Sequence, residues 1–202
     1  YNFYNIIFKF FLYLSIIQIF TEISMIDMQP SSFENVYEVI KLIKPTEIYN
    51  LAGQSSVGIS FLEPQSTFDS VINGTLNCLE AIKRLDKDIK YYNSSSSEFF
   101  GDTGNSRANE TSTLNPQSPY AIAKATAHWA VINYRQSYNL FAVSGILFNH
   151  ESPFRKKSFV TQKIISSAIE ISKGKQEYLE LGNLNIQRDW GWAPEYVKAM
   201  FL

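Results

Sequence analysis

One cysteine, Cys78, stands in 202 residues. That count excludes an internal disulfide and agrees with a reducing, cytoplasmic setting. Cys78 falls in an apolar helical pattern, where burial is expected rather than reactivity. Two histidines beside it are too few for an expected metal centre. A formal net charge of −1 gives no electrostatic case for nucleic acid or an anionic membrane. None of the nine glycines opens the strand–turn–helix that holds a dinucleotide pyrophosphate. Gly101 and Gly104 make a partial G-x-x-G, but Arg107 takes the next slot and no helix follows directly. Long apolar runs are missing too. Residues 10–20 form the longest, short of the ~20 that a spanning helix needs. Lys9 is the only basic residue ahead of that run, and no small-residue cleavage site follows, so neither a span nor export is expected. The glycosylation pattern at Asn73, Asn93 and Asn109 would matter only in an exported chain.

What is present reads as alternating strands and helices. The 45% hydrophobic and 18% charged content fits an ordinary globular core. Residues 1–24 are set apart as an apolar leader of unassigned origin, and a start at Tyr1 rather than methionine suggests a fragment. Ser31 with Glu34 forms a capping box ahead of a stripe of Phe33, Val36, Tyr37, Ile40 and Ile43. Lys44-Pro45 ends that helix. Residues 47–52 read as a strand, with Gly53-Gln54-Ser55-Ser56 as its outgoing turn. Phe68, Val71, Ile72, Leu79 and Ile82 mark a second helix, whose internal Gly74 suggests close approach of a neighbour or simple tolerance. Residues 90–96 read as the next strand. Residues 142–148 read as a third, apolar enough to be covered on both faces. A last helix spans 158–172, stopped by Gly174. Such alternation implies βαβ units and a parallel sheet, with ligands beyond the carboxyl ends of the strands.

The chemistry gathers between residues 91 and 124. Ser118 is the expected N-cap and Pro119 the first residue of a helix that carries Tyr120 and Lys124 on one face. An ammonium near a phenol favours phenolate, so Tyr120 can serve as a base near neutral pH. Ser96 and Glu98, two apart at a strand end, point the same way. Alone, Y-x-x-x-K is common and carries little.

Several stretches together are more specific. They are Lys44-Pro45-Thr46-Glu47-Ile48-Tyr49-Asn50-Leu51-Ala52, Ser118-Pro119-Tyr120 with Lys124, and Gly145-Ile146-Leu147-Phe148-Asn149-His150-Glu151-Ser152-Pro153. Phe159-Val160-Thr161 with Lys163 and Leu181-Gly182-Asn183-Leu184 with Arg188-Asp189-Trp190-Gly191 complete the set. From about Asp27 onward the chain resembles the GDP-mannose 4,6-dehydratase family of the extended short-chain dehydrogenase/reductases. That resemblance implies an α/β fold: a Rossmann-like doubly wound parallel sheet at 25–150, truncated at both ends of the chain, and the start of a smaller substrate domain at 151–202. It implies GDP-D-mannose as substrate, GDP-4-keto-6-deoxy-D-mannose as product on the way to GDP-L-fucose, and NADP as cofactor.

By the same resemblance, Tyr120 takes the C4 hydroxyl proton and Lys124 lowers its pKa and holds the nicotinamide ribose. Ser96, where the family has threonine, bonds the C4 oxygen, and Glu98 removes the C5 proton. Cofactor contacts fall to Asp27, Met28, Leu51, Ala52, Gly53, Gln54, Ser55, Tyr120, Lys124, His150 and Arg155. Asn149, Val160, Lys163 and Arg188 face the nucleotide sugar. A family-like homo-oligomer is implied as well. Departures are Ser56 for a histidine, Ser66 for a cofactor-contacting tyrosine, Trp192 and Pro194 in the Gly-His-Ala-Lys run, and the glycine fingerprint. Three other readings stay open: a sugar-nucleotide 4-epimerase or reductase, an inactive truncated remnant that lacks the pyrophosphate loop and binds nothing tightly or merely pairs with full-length subunits, and a membrane-tethered module resting on residues 1–20.

Overall fold

The computed structural model describes residues 24–104 and 106–202. The expected leader, except Ser24, lies outside them. The chain divides into two compact units, the first ending at Leu147 and the second being Phe148–Leu202.

In the first unit, helix α1 is Phe33–Ile43. Its N-cap is Ser32, whose Oγ accepts from the Asn35 N–H at 3.3 Å. The cap therefore falls one residue later than the Ser31–Glu34 box. The cause is a turn in which the Ser32 N–H donates to the Gln29 carbonyl, while Asn35 Oδ1 accepts from the Gln29 N–H. The helix ends on Lys44 at φ 50°, a left-handed residue wedged before Pro45. Strand β1, Glu47–Asn50, ends two residues sooner than the sequence suggests.

Three helical pieces follow where one helix and a turn were expected. They are α2 (Val57–Leu62), α3 (Pro64–Phe68) and α4 (Gly74–Leu85), the last two joined by a π-helical segment, Asp69–Asn73. A Cβ on Gly74 would stand 3.3 Å from Pro30 Cβ. Asn77 Nδ2 holds the Pro30 carbonyl at 2.8 Å. Close approach, rather than tolerance, accounts for that glycine.

Strand β2 is Lys90–Ser96, helix α5 is Pro119–Tyr138 and strand β3 is Ala142–Leu147. The strands run parallel in the order β1-β2-β3. One core joins Val36 and Ile40 of α1, Leu79 and Ile82 of α4, and Val131 of α5 to Tyr91 and Ala142 on the sheet. Each such side chain contributes roughly 1.5–3 kcal/mol by leaving water. Strand β2 is central and buried from Tyr91 to Ser96. Strand β3 is not covered on both faces as expected: it pairs only with β2 among the described residues, and Val143 is 38% exposed. Gly145 sits beneath the Tyr92 ring, and a Cβ there would collide with the phenol.

The second unit pairs β4 (Asn149–Glu151) in parallel with β5 (Trp190–Trp192). Helix α6 is Val160–Ser172, starting two residues after Ser158, and α7 is Ala193–Phe201. The end of α6 follows from Gly174 at φ +69°, with the Lys175 N–H on Glu170 O and the Gly174 N–H on Ile171 O. No helix among the described residues is long and apolar enough to cross a membrane.

Candidate active site

Helix α5 begins as its sequence dictates. Ser118 Oγ accepts from the Ala121 N–H at 3.1 Å, and Pro119 occupies the first turn, where its missing donor costs nothing. The small residues Ala121, Ala123 and Ala127 let this helix sit close, and Tyr120 and Lys124 are buried with them. Lys124 Nζ lies 5.9 Å from the Tyr120 ring centre. It donates to the Ser94 carbonyl at 2.7 Å and to Ser94 Oγ at 3.3 Å, which pins the first turns of α5 to the carboxyl half of β2. Burial alone lowers the Lys124 pKa to about 8.

Strand β2 stops at Ser96, and Ser97–Phe100 coils into a 3-10 turn. Glu98 is therefore set by that turn, not by the alternation of a strand. Ser96 Oγ accepts the Glu98 N–H at 3.3 Å. Ser96 is buried and Glu98 half-buried. Two further contacts hold the turn, one from the loop ahead of α5 and one from α5 itself. The Asn115 N–H donates to Phe99 O at 2.8 Å, and the Phe99 ring lies 5.2 Å from that of His128. Gly101, at φ +66°, permits the first, because a Cβ there would strike the Asn115 carbonyl. Ser96, Glu98, Tyr120 and Lys124 thus lie on segments that meet at the carboxyl end of the central strand.

Leu51 to Ser55 follow the carboxyl end of β1. Gly53 turns at φ +126°, and its Cβ position lies 3.1 Å from Val71. The Gln54 N–H donates to Ser70 Oγ at 3.2 Å and its Nε2 to Thr67 Oγ1 at 3.0 Å, so Gln54 braces this turn from within. Ser56, where the family has histidine, caps α2 through the Ile59 N–H. Asp27 and Met28 are exposed, just ahead of the Gln29 turn.

Within the second unit, His150 on β4 sets Nδ1 2.9 Å from Phe148 O, and its ring packs against Tyr196. Burial is the main cause that lowers its pKa. Arg155 Nη1 donates to His150 O at 2.8 Å, and its guanidinium lies 4.0 Å from the Phe159 ring centre. Arg155 Nε stands 3.4 Å from Glu151 Oε2 without hydrogen-bond alignment, and Thr161 Oγ1 donates to the same oxygen at 2.6 Å. Asn149 Nδ2 reaches Asp189 O at 3.3 Å. Val160, Lys163 and Arg188 are exposed.

Sequence reasoning passed over Ser94, the acceptor for Lys124. Its signal was the alternation itself, since Ser94 stands two before Ser96. It also passed over a buried polar knot on β2, where Asn93 Oδ1 accepts from Asn50 Nδ2 at 3.1 Å and from the Tyr91 hydroxyl at 3.3 Å.

A parallel α/β sheet, with a tyrosine and a buried lysine one turn apart beside a strand-end hydroxyl and carboxylate, defines a Rossmann-like short-chain dehydrogenase/reductase. Residues 16–202 match the family model described as GDP-mannose 4,6 dehydratase. The chain belongs to that family. The GDP-mannose 4,6 dehydratase of Drosophila melanogaster is 47% identical over 178 residues, 87% of this chain and 45% of that protein. The chain spans about half the length of the curated relatives it matches. Among solved structures, RMD from Pseudomonas aeruginosa, complexed with NADPH, superposes with a TM-score of 0.79 at 24% identity, over 86% of this chain and 59% of that one. The dTDP-glucose 4,6-dehydratase of Bacillus anthracis, in complex with NAD, gives 0.74 at 25% identity, over 87% and 53%.

Proposed function

We propose that the chain carries the catalytic centre of a nucleotide-sugar dehydratase that converts GDP-D-mannose to GDP-4-keto-6-deoxy-D-mannose in the cytoplasm. The observation that carries this reading is Lys124: a cation buried without a carboxylate, one helical turn from Tyr120. Burying a charge is costly, and it persists where the charge has work to do.

Membership of the family supports GDP-mannose, and the NAD held by the Bacillus enzyme supports a nicotinamide dinucleotide. The residues fit its nicotinamide-ribose end, because two Lys124 donors are spent on Ser94 and an ammonium has three. Lys124, Tyr120 and the turn from Leu51 to Ser55 would hold that end, with NADP the form expected from the family. The chemistry such a dinucleotide would supply is hydride storage between C4 and C6, so the net change would be loss of water. Tyr120 takes the C4 hydroxyl proton, and the Lys124 charge favours the phenolate that does so. The Ser96 hydroxyl bonds the C4 oxygen. Glu98 takes the C5 proton, which the new C4 carbonyl acidifies, and passes a proton to the departing C6 hydroxyl, which leaves as water; once hydride has reached C6, the proton held on Tyr120, exchangeable with solvent, goes to C5 and restores both groups to their starting state. Asp27, Met28, His150 and Arg155 are the further candidates for the cofactor, and Asn149, Val160, Lys163 and Arg188 those for the nucleotide sugar.

Incubation with GDP-mannose and NADP, followed by NMR of the sugar, tests this reading. A 4-keto-6-deoxy product is expected. A C4 epimer or a reduced sugar as the only product would overturn it in favour of an epimerase or reductase, since neither reaction needs a base at C5.

A further inference from the structure

Ser94 gives Lys124 two acceptors from a single residue, its carbonyl at 2.7 Å and its hydroxyl at 3.3 Å. Both residues are more than nine-tenths buried. A buried ammonium must fill its donors or lose its proton. The ionisable groups on the elements around it are Tyr120, His128, Tyr134, Arg135 and Tyr138 on α5, Glu98 on the 3-10 turn, Lys90, Tyr91 and Tyr92 on β2, and Cys78, Glu80, Lys83 and Arg84 on α4. Glu63 and Asp69, on the helical segments that also pack on α5, are exposed. No charged partner contributes to the shift of Lys124.

We propose that Ser94 is a positioning residue: its side-chain hydroxyl, together with its carbonyl, keeps the Lys124 ammonium protonated and aimed along β2 toward Tyr120. The carbonyl alone would leave Lys124 free to swing about a single hydrogen bond. With the hydroxyl as a second anchor, two of three donors are fixed and the third is left for a ligand hydroxyl. Ser94 touches no reacting atom in this scheme and acts only through Lys124. The proposal rests on reading Lys124 as the partner of Tyr120.

The test is the titration of Lys124 in the full chain without ligand, followed by 13C NMR of lysine labelled at Cε. The Lys124 resonance is identified by its loss in Lys124→Met. Ser94→Ala is expected to lower the midpoint by about one pH unit, because a hydrogen bond to the charged form is removed. Ser94→Thr, which keeps the hydroxyl, is expected to restore it. Should the alanine variant fail to fold, Ser94→Cys, close in size but a weak acceptor, is expected to lower the midpoint as well. An unchanged midpoint in folded Ser94→Ala or Ser94→Cys would overturn the proposal. The readout needs no turnover, so a midpoint that follows the hydroxyl upholds the role of Ser94 even where product analysis fails to give the keto sugar.

Discussion

Lys124 and Arg155 are both shielded cations, and the protein treats them in opposite ways. Arg155 has a carboxylate, Glu151, at 3.4 Å, an aromatic face under its guanidinium, and a backbone carbonyl. Lys124 has the neutral oxygens of Ser94 and the Tyr120 ring at 5.9 Å, with no carboxylate beside it. Arg155 has its charge compensated within the second unit, whereas Lys124 is held at a cost, protonated with no carboxylate beside it. A paired charge is balanced where it stands; a lone buried charge is the stronger pointer to function.

The largest expected effect breaks the comparison on the Lys124 side. Lys124→Met should reduce dehydration of GDP-mannose by about 10²–10⁴-fold, as for loss of an acid–base partner, measured as initial rate. Equal rates would contradict the role of the amine.

Stability sharpens the contrast. The folded pKa of Lys124 is about 8 against an ordinary 10.5, so the folded chain binds fewer protons between those values. Its burial penalty is full below pH 8, fades as pH rises through the window and is gone above 10.5. That penalty is about 3 kcal/mol. Cys78 and Tyr92, each pushed up to about 12 by burial, act oppositely at alkaline pH. The difference between wild type and Lys124→Met removes their contribution. In chemical denaturation, the advantage of Lys124→Met should shrink from pH 8 to 10.5. A difference independent of pH would contradict the uncompensated burial.

Arg155→Met should behave the other way, destabilising by about 1–3 kcal/mol as Glu151 loses its partner. Gly145→Ala, which drives a methyl into Tyr92, should cost about 1–3 kcal/mol. Smallest of all, Ser32→Ala should cost about 1 kcal/mol while Ser31→Ala costs almost nothing, a pair of thermal melts that settles which serine caps α1.

Those two serines also show what a sequence can carry. Strand β2 and the start of helix α5 were legible to the residue, because a β-rich run and a Ser-Pro helix start are local signals. The cap of α1 was misread by one position because it depends on a turn made by Gln29, and β1 ran short for want of a stop signal. The π-helical segment Asp69–Asn73 holds no glycine or proline to mark it, so it was invisible. The candidates Tyr120 and Lys124 were named from a motif and Ser96 and Glu98 from a strand end and a resemblance, and the structure sets all four on converging segments. Ser94 was missed because serine in a run of serines carries no mark of its own; only the reach of Lys124 picks it out.

The most direct measurement is turnover of GDP-mannose in deuterium oxide, with the product sugar examined by NMR. One deuterium at C5 is expected from the wild-type chain, and Glu98→Gln is expected to yield no such label. Keto sugar without deuterium at C5, or equal labelling by Glu98→Gln, would contradict the assignment of this site.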